Sequence, residues 1–357
     1  MKTRAAIAFS ENEPLVVEEV RLSDPGHGEV RIKMEACGIC RSDLSALEGK
    51  ETVQFPVVLG HEGAGYVDGV GAGVTKLKEG DKVVLSWTPA CGNCRGCRRG
   101  DVHLCEVLSM TTEGRGPMTL GDRSLDRFMA LGAFAEHIVV PENMAVPIKS
   151  DLEATHSCLI GCGVTTGFGA AVNSASVRWG ERVAVYGCGG VGLAAIQGAR
   201  VAGATDIIAI DPVAERRAAA LKLGATAAIP PENSRKLIMS ETNGGVDVAI
   251  ECVGSPAVMA EAFGVTRSGG RCVVVGLPAF TEMLEIPAIM LLQEKTLTGS
   301  IYGSANPAVD FQKIASLADN KQLLLAPMVD KIRPFDEINI GMDEMRQSKS
   351  IRVVLSF

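Results

Sequence analysis

The alternation of apolar and polar positions changes character near Gly161. Before that point, short β-forming runs are separated by glycine and turn residues: "EVRIKMEACGI", "GAGYVDGVGAGV" and "GDKVVLSW". Such runs predict a strand-rich region. Beyond it, short apolar runs alternate with helical stretches. "VAVY" (183–186) predicts a buried strand, and a helix of small residues follows over about 191–202. "DIIAID" (206–211) predicts the next strand, with a helix over about 215–223. Later strands are expected at "DVAIECV" (247–253), "RCVVVG" (271–276) and "TLTGSIYG" (296–303). Strands that alternate with helices predict a parallel doubly wound sheet. The last fifty-odd residues return to mixed texture and end in "IRVVLSF", so the tail is expected to rejoin the first domain. No low-complexity linker or internal repeat interrupts this plan.

At 357 residues the chain suits two domains rather than one core. The start, "MKTRAAIAFSENEP", is broken by polar residues too early for a signal peptide, and no apolar run reaches the length of a membrane span. The expectation is a cytoplasmic protein with no membrane partner. A net charge of −7 argues against a nucleic-acid partner, which needs a basic face. It leaves room for a local basic spot facing one anionic cofactor. Eleven cysteines without an export signal read as reduced thiols and metal ligands, not disulfides.

"GCGGVG" spans Gly187 to Gly192, follows a strand and opens a helix. Asp211 ends the next strand, at the spacing a dinucleotide fingerprint requires. Gly187 permits the tight turn, Gly189 lets backbone approach a pyrophosphate, and Gly192 lets the helix pack on the sheet. The helix N-terminus, with Gly190 and Val191 in its first turn, adds N–H donors and partial positive charge. Asp211 is expected to accept from the adenosine ribose hydroxyls, which favours NAD over NADP. Arg216 and Arg217 lie just downstream and offset that preference slightly.

"CGNCRGCRRGDVHLC" carries Cys91, Cys94, Cys97 and Cys105. A bacterial ferredoxin run would bring its fourth cysteine after three residues and follow it with proline. Here seven residues intervene and Glu106 follows. Four thiolates fit a tetrahedral structural zinc, whose charge Arg95, Arg98 and Arg99 would offset. Such a site is closed to substrate. An open site is available elsewhere: "CGICRSD" offers Cys40 and Asp43, "GHEGAG" offers His61 and Glu62, and "IGCGVTTG" offers Cys162. Two thiolates and an imidazole leave zinc a fourth position for an oxygen. A protease HExxH helix is excluded, because Gly65 stands where its second histidine belongs.

Taken in order, "CGICRSD", "GHEGAGYV", "GDKVV", the four-cysteine stretch, "GCGVTTGFGAAVN", "GCGGVG" and "SIRVVLSF" span nearly the whole chain. Together they resemble the zinc-dependent medium-chain alcohol dehydrogenases, the standing example of a catalytic zinc held by two cysteines and a histidine. The resemblance implies an α/β fold: a GroES-like β-rich catalytic domain plus a Rossmann doubly wound parallel-sheet cofactor domain. The implied bounds are 1–163 with the zinc lobe at 91–105, then 164–301, then a return at 302–357.

It also implies a ligand set of Cys40, His61 and Cys162, with Glu62 near the metal and Asp43 fixing the His61 tautomer. Ser42 resembles the hydroxyl that contacts the alcohol. Arg41 and Arg352 resemble the basic residues that meet the pyrophosphate. Thr166 and Val191 flank the nicotinamide, and Val275 and Tyr302 join the cofactor contacts. Trp87 stands where a bulky residue narrows the substrate pocket. One departure is Ser45, where liver-type members place the histidine that ends a proton relay.

The implied activity is reversible oxidation of a small alcohol to an aldehyde or ketone, with NAD and two zinc ions per chain. A polyol or hydroxymethyl-thiol substrate on the same scaffold is the alternative. A non-catalytic zinc-binding NAD(H) sensor is the other. The long segment after Cys105 resembles dimeric members and implies a homodimer pairing through 296–303.

Overall fold

The eleven-residue strand Glu29–Ile39 organises the strand-rich part of the molecule. Val30, Ile32, Met34 and Ala36 point into the core while Lys33 and Glu35 point out, the two-residue period of a half-buried strand. It pairs antiparallel with Glu62–Val70, with His137–Pro141 and with Val353–Ser356. The last pairing sets Val353 opposite Ile39 and Leu355 opposite Cys37, so the chain's end is stitched to its beginning.

The computed structural model describes residues 1–108, 116–279, 281–347 and 350–357. The chain divides into two units. The strand-rich unit comprises Met1–Cys162, Asn306–Lys321 and Met328–Phe357; the other comprises Gly163–Ala305 and Gln322–Pro327. The strand-rich unit holds a seven-stranded and a six-stranded sheet.

The second unit is a six-stranded sheet, parallel throughout. Its strands lie in the order Ala227–Ile229, Asp206–Ile210, Arg182–Tyr186, Val246–Glu251, Thr266–Val274, Thr296–Gly299. In sequence terms that is 3-2-1-4-5-6, the doubly wound order whose direction reverses beside the first strand. Helices Gly190–Val201 and Ala214–Lys222 fall within a residue of expectation. Val183, Val185, Val248 and Ile250 are fully buried, as strands covered on both faces require.

Two expectations need correcting. The strand expected over 296–303 stops at Gly299. Ser174 Oγ bonds Ser300 Oγ at 2.7 Å and Ser304 Oγ at 2.8 Å, drawing the following residues into a turn. Tyr302 and Ser304 there take positive φ, so the pleat cannot continue. The return segment, expected at 302, begins at Asn306, and Gln322–Pro327 belongs to the parallel-sheet unit. The cause is a two-sided clamp: Gln197 Nε2 donates to Leu324 O at 3.1 Å and its Oε1 accepts from Leu324 N at 2.7 Å.

Candidate active site and metal centres

Cys40 sits where strand Glu29–Ile39 gives way to helix Arg41–Leu47, and it forms the N-cap of that helix. Asp43, in the first turn, carries three contacts on two oxygens. Oδ2 accepts from Cys40 N at 2.9 Å, and Oδ1 accepts from Gly60 N at 3.0 Å and faces His61 Nδ1 at 3.1 Å. One carboxylate therefore fixes the backbone of two elements and the ring between them. An acceptor at Nδ1 assigns the His61 proton to that nitrogen, leaving Nε2 as a lone-pair donor. Nε2 is buried and has no hydrogen-bond partner.

Cys162 ends the turn Cys158–Gly161. A Cβ at Gly161 would lie 2.7 Å from Leu85 O, so only glycine lets this turn pack so closely on strand Lys82–Leu85. Glu62 opens strand Glu62–Val70, and its carboxylate lies 3.1 Å from Arg352 Nη1. Gly38 is cut away for it, since a Cβ there would strike Glu62 Oε2. One donor atom from each of Cys40, His61, Glu62 and Cys162 lies within 4.8 Å of the others.

These groups share charge closely. The Cys40 thiol is held well below its ordinary pKa by the Cys162 thiol, which overrides burial. Cys162 is raised well above it in turn, by Cys40 and by burial. Burial acts to discharge His61, but Asp43 and the Cys40 charge override it and raise its pKa. Two thiols, an imidazole nitrogen with no other partner and a nearby carboxylate match the donor set of a zinc site that keeps a position for substrate.

The second cluster is local. Cys94 caps the short helix Arg95–Arg98, and its Sγ accepts from Cys97 N and Glu106 N, each at 3.4 Å. Cys91 Sγ accepts from Cys94 N at 3.4 Å. Those N–H groups draw the Cys94 thiol down to about 6. Cys97, desolvated among the other sulfurs, is pushed up to about 12. The Cys91–Cys97 and Cys94–Cys105 sulfur pairs are each 4.0 Å apart, and none of the four is in a disulfide. Zn–S bonds of about 2.3 Å arranged tetrahedrally put sulfurs about 3.8 Å apart. The lobe fits a closed four-thiolate zinc.

The glycine turn follows strand Arg182–Tyr186. Gly187 has φ +88°, where a side chain would be strained, and a Cβ on Gly189 would meet nothing within 4 Å. Gly192 has a different reason from the one expected. Its Cβ would collide with Gly187 O, whereas the nearest strand side chain, Val185, is at 3.6 Å. It closes the turn on itself rather than admitting the sheet. Asp211 is buried, with Oδ2 accepting from Cys188 N at 2.7 Å and Oδ1 from Val213 N at 2.8 Å. It braces the turn and the start of the next loop. Arg217 Nη1 donates to Asp211 O at 2.7 Å, and Arg216 is half-buried.

Of the remaining expected residues, Arg41 is exposed and Ser42 half-buried on helix Arg41–Leu47. Trp87 is buried beyond strand Lys82–Leu85. Thr166 lies on helix Gly163–Gly169 with Oγ1 buried. Gly190 and Val191 form the first turn of helix Gly190–Val201. Val275 N donates to Glu251 O at 2.8 Å, and Tyr302 is buried. Arg352 is not a solvated arginine: it is 5% exposed, and besides facing Glu62 its Nη1 donates to Ile39 O at 3.1 Å.

Glu251 and Glu51 are among the buried acids that escape sequence reasoning. Glu251 Oε1 accepts from Val253 N and Gly254 N, both at 2.8 Å, shaping the turn after its strand. An acid ending the apolar run "DVAIE" was the available signal. Glu51, buried near the Cys40–His61 cluster, had none.

Comparison with known proteins gives the same picture. A family model described as an alcohol dehydrogenase GroES-like domain matches residues 26–150, and one described as a zinc-binding dehydrogenase matches residues 190–320. An NDMA-dependent alcohol dehydrogenase from Amycolatopsis methanolica is 38% identical, with 99% of each chain covered. The solved benzyl alcohol dehydrogenase of Acinetobacter calcoaceticus is 30% identical with a TM-score of 0.93, over 100% of this chain and 99% of that one. A zinc-binding dehydrogenase of Sinorhizobium meliloti, solved with NADP bound, is 27% identical with a TM-score of 0.84 over 100% of both chains. With two family models covering more than half of the chain and a relative 38% identical over 99% of both chains, the chain belongs to the zinc-dependent medium-chain alcohol dehydrogenase family.

Proposed function

We infer that this protein oxidises a small alcohol to an aldehyde or ketone, reversibly, with NAD as hydride acceptor and zinc at Cys40, His61 and Cys162. The observation that carries the reading is the buried His61 Nε2, left without a partner beside two thiols. Zinc bound there would supply the Lewis acidity that makes an alcohol acidic near neutral pH, and bound NAD would supply the hydride acceptor. The chain's own residues do the rest. Asp43 holds the His61 ring by Nδ1 so that Nε2 presents its lone pair. Arg352 compensates Glu62, so this carboxylate stays beside the ligands without an uncompensated buried charge. Ser42, on the helix that starts at Cys40, takes the proton from the substrate hydroxyl and passes it towards solvent through Ser45 and water.

Gly187, Gly189 and the N-terminus of helix Gly190–Val201 receive the pyrophosphate, with Arg41 as a further cation. Thr166, Val191, Val275 and Tyr302 complete the cofactor contacts. Asp211 favours NAD over NADP, since a ribose phosphate would meet its carboxylate; the NADP-bound relative makes this the point to test. Trp87 narrows the substrate pocket. Cys91, Cys94, Cys97 and Cys105 hold a second, structural zinc. The protein acts in the cytoplasm; no helix among the described residues is long and apolar enough to cross a membrane.

We also infer a homodimer through the strand Thr296–Gly299, the outermost of its sheet among the described residues and preceded in the chain by the exposed Ile289, Leu291 and Leu292. The length of the segment after Cys105 also bears on that reading, but part of it lies outside the described residues. The decisive experiment follows NADH absorbance over a panel of alcohols, with NADP as control and zinc measured per chain. Turnover with two zincs is expected. NAD(H) binding with one zinc and no turnover would instead mark a sensor.

A further inference from the structure

Helix Gly163–Gly169 runs on into a wider, π-helical turn over Ala170–Ser174. Ala175 N donates to Ala170 O at 2.8 Å, five residues back rather than four. A wider turn holds more residues per revolution, so successive side chains diverge less. Asn173 and Ser174 both reach one neighbour, the turn over 300–304 that follows strand Thr296–Gly299. Asn173 Nδ2 donates to Gly303 O at 3.1 Å. The half-buried Ser174 contributes the hydroxyl that joins two others, at 2.7 Å from Ser300 Oγ and 2.8 Å from Ser304 Oγ.

The turn it holds is strained. Tyr302, Gly303 and Ser304 have φ of +54°, +66° and +49°, a left-handed run in which only the middle residue is glycine. Such backbone persists where its surroundings over-determine it, and it gathers at functional sites. Glycines set the turn hard against the helix. A Cβ on Gly303 would strike Thr165 O and lie 2.8 Å from Thr166 O, and a Cβ on Gly169 would strike Gly303 O. The same helix packs as closely on the dinucleotide turn's helix: a Cβ on Gly167 would strike Val191 O, in the first turn of helix Gly190–Val201. Turn and helices thus meet backbone to backbone, with no side chain between them to absorb a shift. Thr166 belongs to this stack, and its buried Oγ1 has no hydrogen-bond partner.

We propose that Ser174 is a positioning residue for the cofactor. Its hydroxyl pins the strained turn that carries Tyr302, and the glycine contacts pass that placement to Thr166 and to the N-terminus of helix Gly190–Val201. Ser174 acts through these groups and not by contact with the cofactor. This rests on reading Thr166, Val191 and Tyr302 as cofactor contacts.

The test uses the zinc-loaded full chain and measures the Kd for NADH by its fluorescence, alongside the melting temperature. Ser174→Ala removes both bonds and should raise Kd about tenfold. Ser300→Ala and Ser304→Ala each remove one and should raise it about threefold. The Ser300→Ala/Ser304→Ala double variant should match Ser174→Ala, and adding Ser174→Ala to it should change nothing more, because that hydroxyl then has nothing left to pin. Ser176→Ala is the control. Its Oγ donates to Asn173 O at 2.9 Å, so it supports the same segment without reaching the turn, and Kd should not move.

A lower melting temperature in Ser174→Ala with an unchanged Kd would make the hydroxyl cluster purely structural and overturn the proposal. A further loss in the triple variant, or an equal loss in Ser176→Ala, would overturn it too. In each of those cases the parent chain still binds NADH, and the proposed function stands. A parent chain that binds no NADH would sink that function, and the role of Ser174 with it.

Discussion

The two sulfur clusters use the same chemistry and are built in opposite ways. Cys91, Cys94, Cys97 and Cys105 lie within fifteen residues, are half-buried except for Cys105, and take their N–H···S bonds from their own loop. The Cys40–His61–Cys162 cluster draws on a strand end, a loop, a turn and, through Arg352, the last segment of the chain. His61 and Glu62 are fully buried. The first cluster is closed on itself, so a metal held there would shape the fold but meet no substrate. The second depends on the fold already being formed, and it keeps a donor atom with no other duty. Local assembly suits a structural metal, and non-local assembly suits a reactive one.

Breaking the second cluster should have the largest effect. Cys162→Ser is expected to lower kcat/KM about a thousandfold and remove one zinc, while the melting temperature moves little. Full activity in that variant would end the assignment. The lobe should show the reverse pattern. Cys97→Ser is expected to destabilise the protein by about 3 kcal/mol, or roughly 5–10 °C, with kcat per zinc-loaded active site retained. Thermal melts paired with active-site titration would check this. Equal losses of kcat and stability in both variants would erase the distinction. Asp43→Asn comes next, with a ten- to hundredfold loss in zinc affinity or activity, because an amide can turn its N–H to His61 and spoil the tautomer. A competition titration with a chromogenic chelator reads it directly.

The same contrast decides what could be read from the sequence. The lobe's cysteines and the glycine turn with Asp211 are legible because each is a local solution to a local problem. Cys40, His61 and Cys162 were legible only as fragments set in family order. The burial of Arg352 against Glu62 was not legible, because a partner 290 residues away leaves no periodicity. Glu51 was hidden for the same reason: an acid in a loop reads as solvated until the fold covers it. The end of the outer strand at Gly299 turned on Ser174, a residue from another helical turn. Gly192 was read as admitting the sheet, whereas the first atom a side chain there would meet belongs to its own turn.

The smallest effect asks whether charge outside both clusters behaves as their buried charge does. Glu344 Oε1 meets Lys331 Nζ and Arg333 Nη2 at 2.6 Å each, and Arg333 also meets Glu337 at 2.7 Å. Bonded chiefly by Arg333, the Glu344 carboxyl falls to about 2. A depressed carboxylate pKa stabilises the folded state above the unfolded value of about 4.3, and the contribution is lost as pH falls towards the folded value. Solvent screening at this surface limits it to about 0.5–1 kcal/mol. Glu344→Gln should therefore lower stability slightly at pH 7, and the deficit should vanish as pH falls from about 4 to about 2. Salt should shrink it too. Glu62→Gln, which would leave Arg352 buried without its counter-charge, should cost more and respond little to salt. Denaturant melts of both variants at low and high ionic strength measure the difference. Equal salt sensitivity would mean that the Glu62–Arg352 pair is hydrated after all, and that the reactive cluster is less sealed than the lobe it contrasts with.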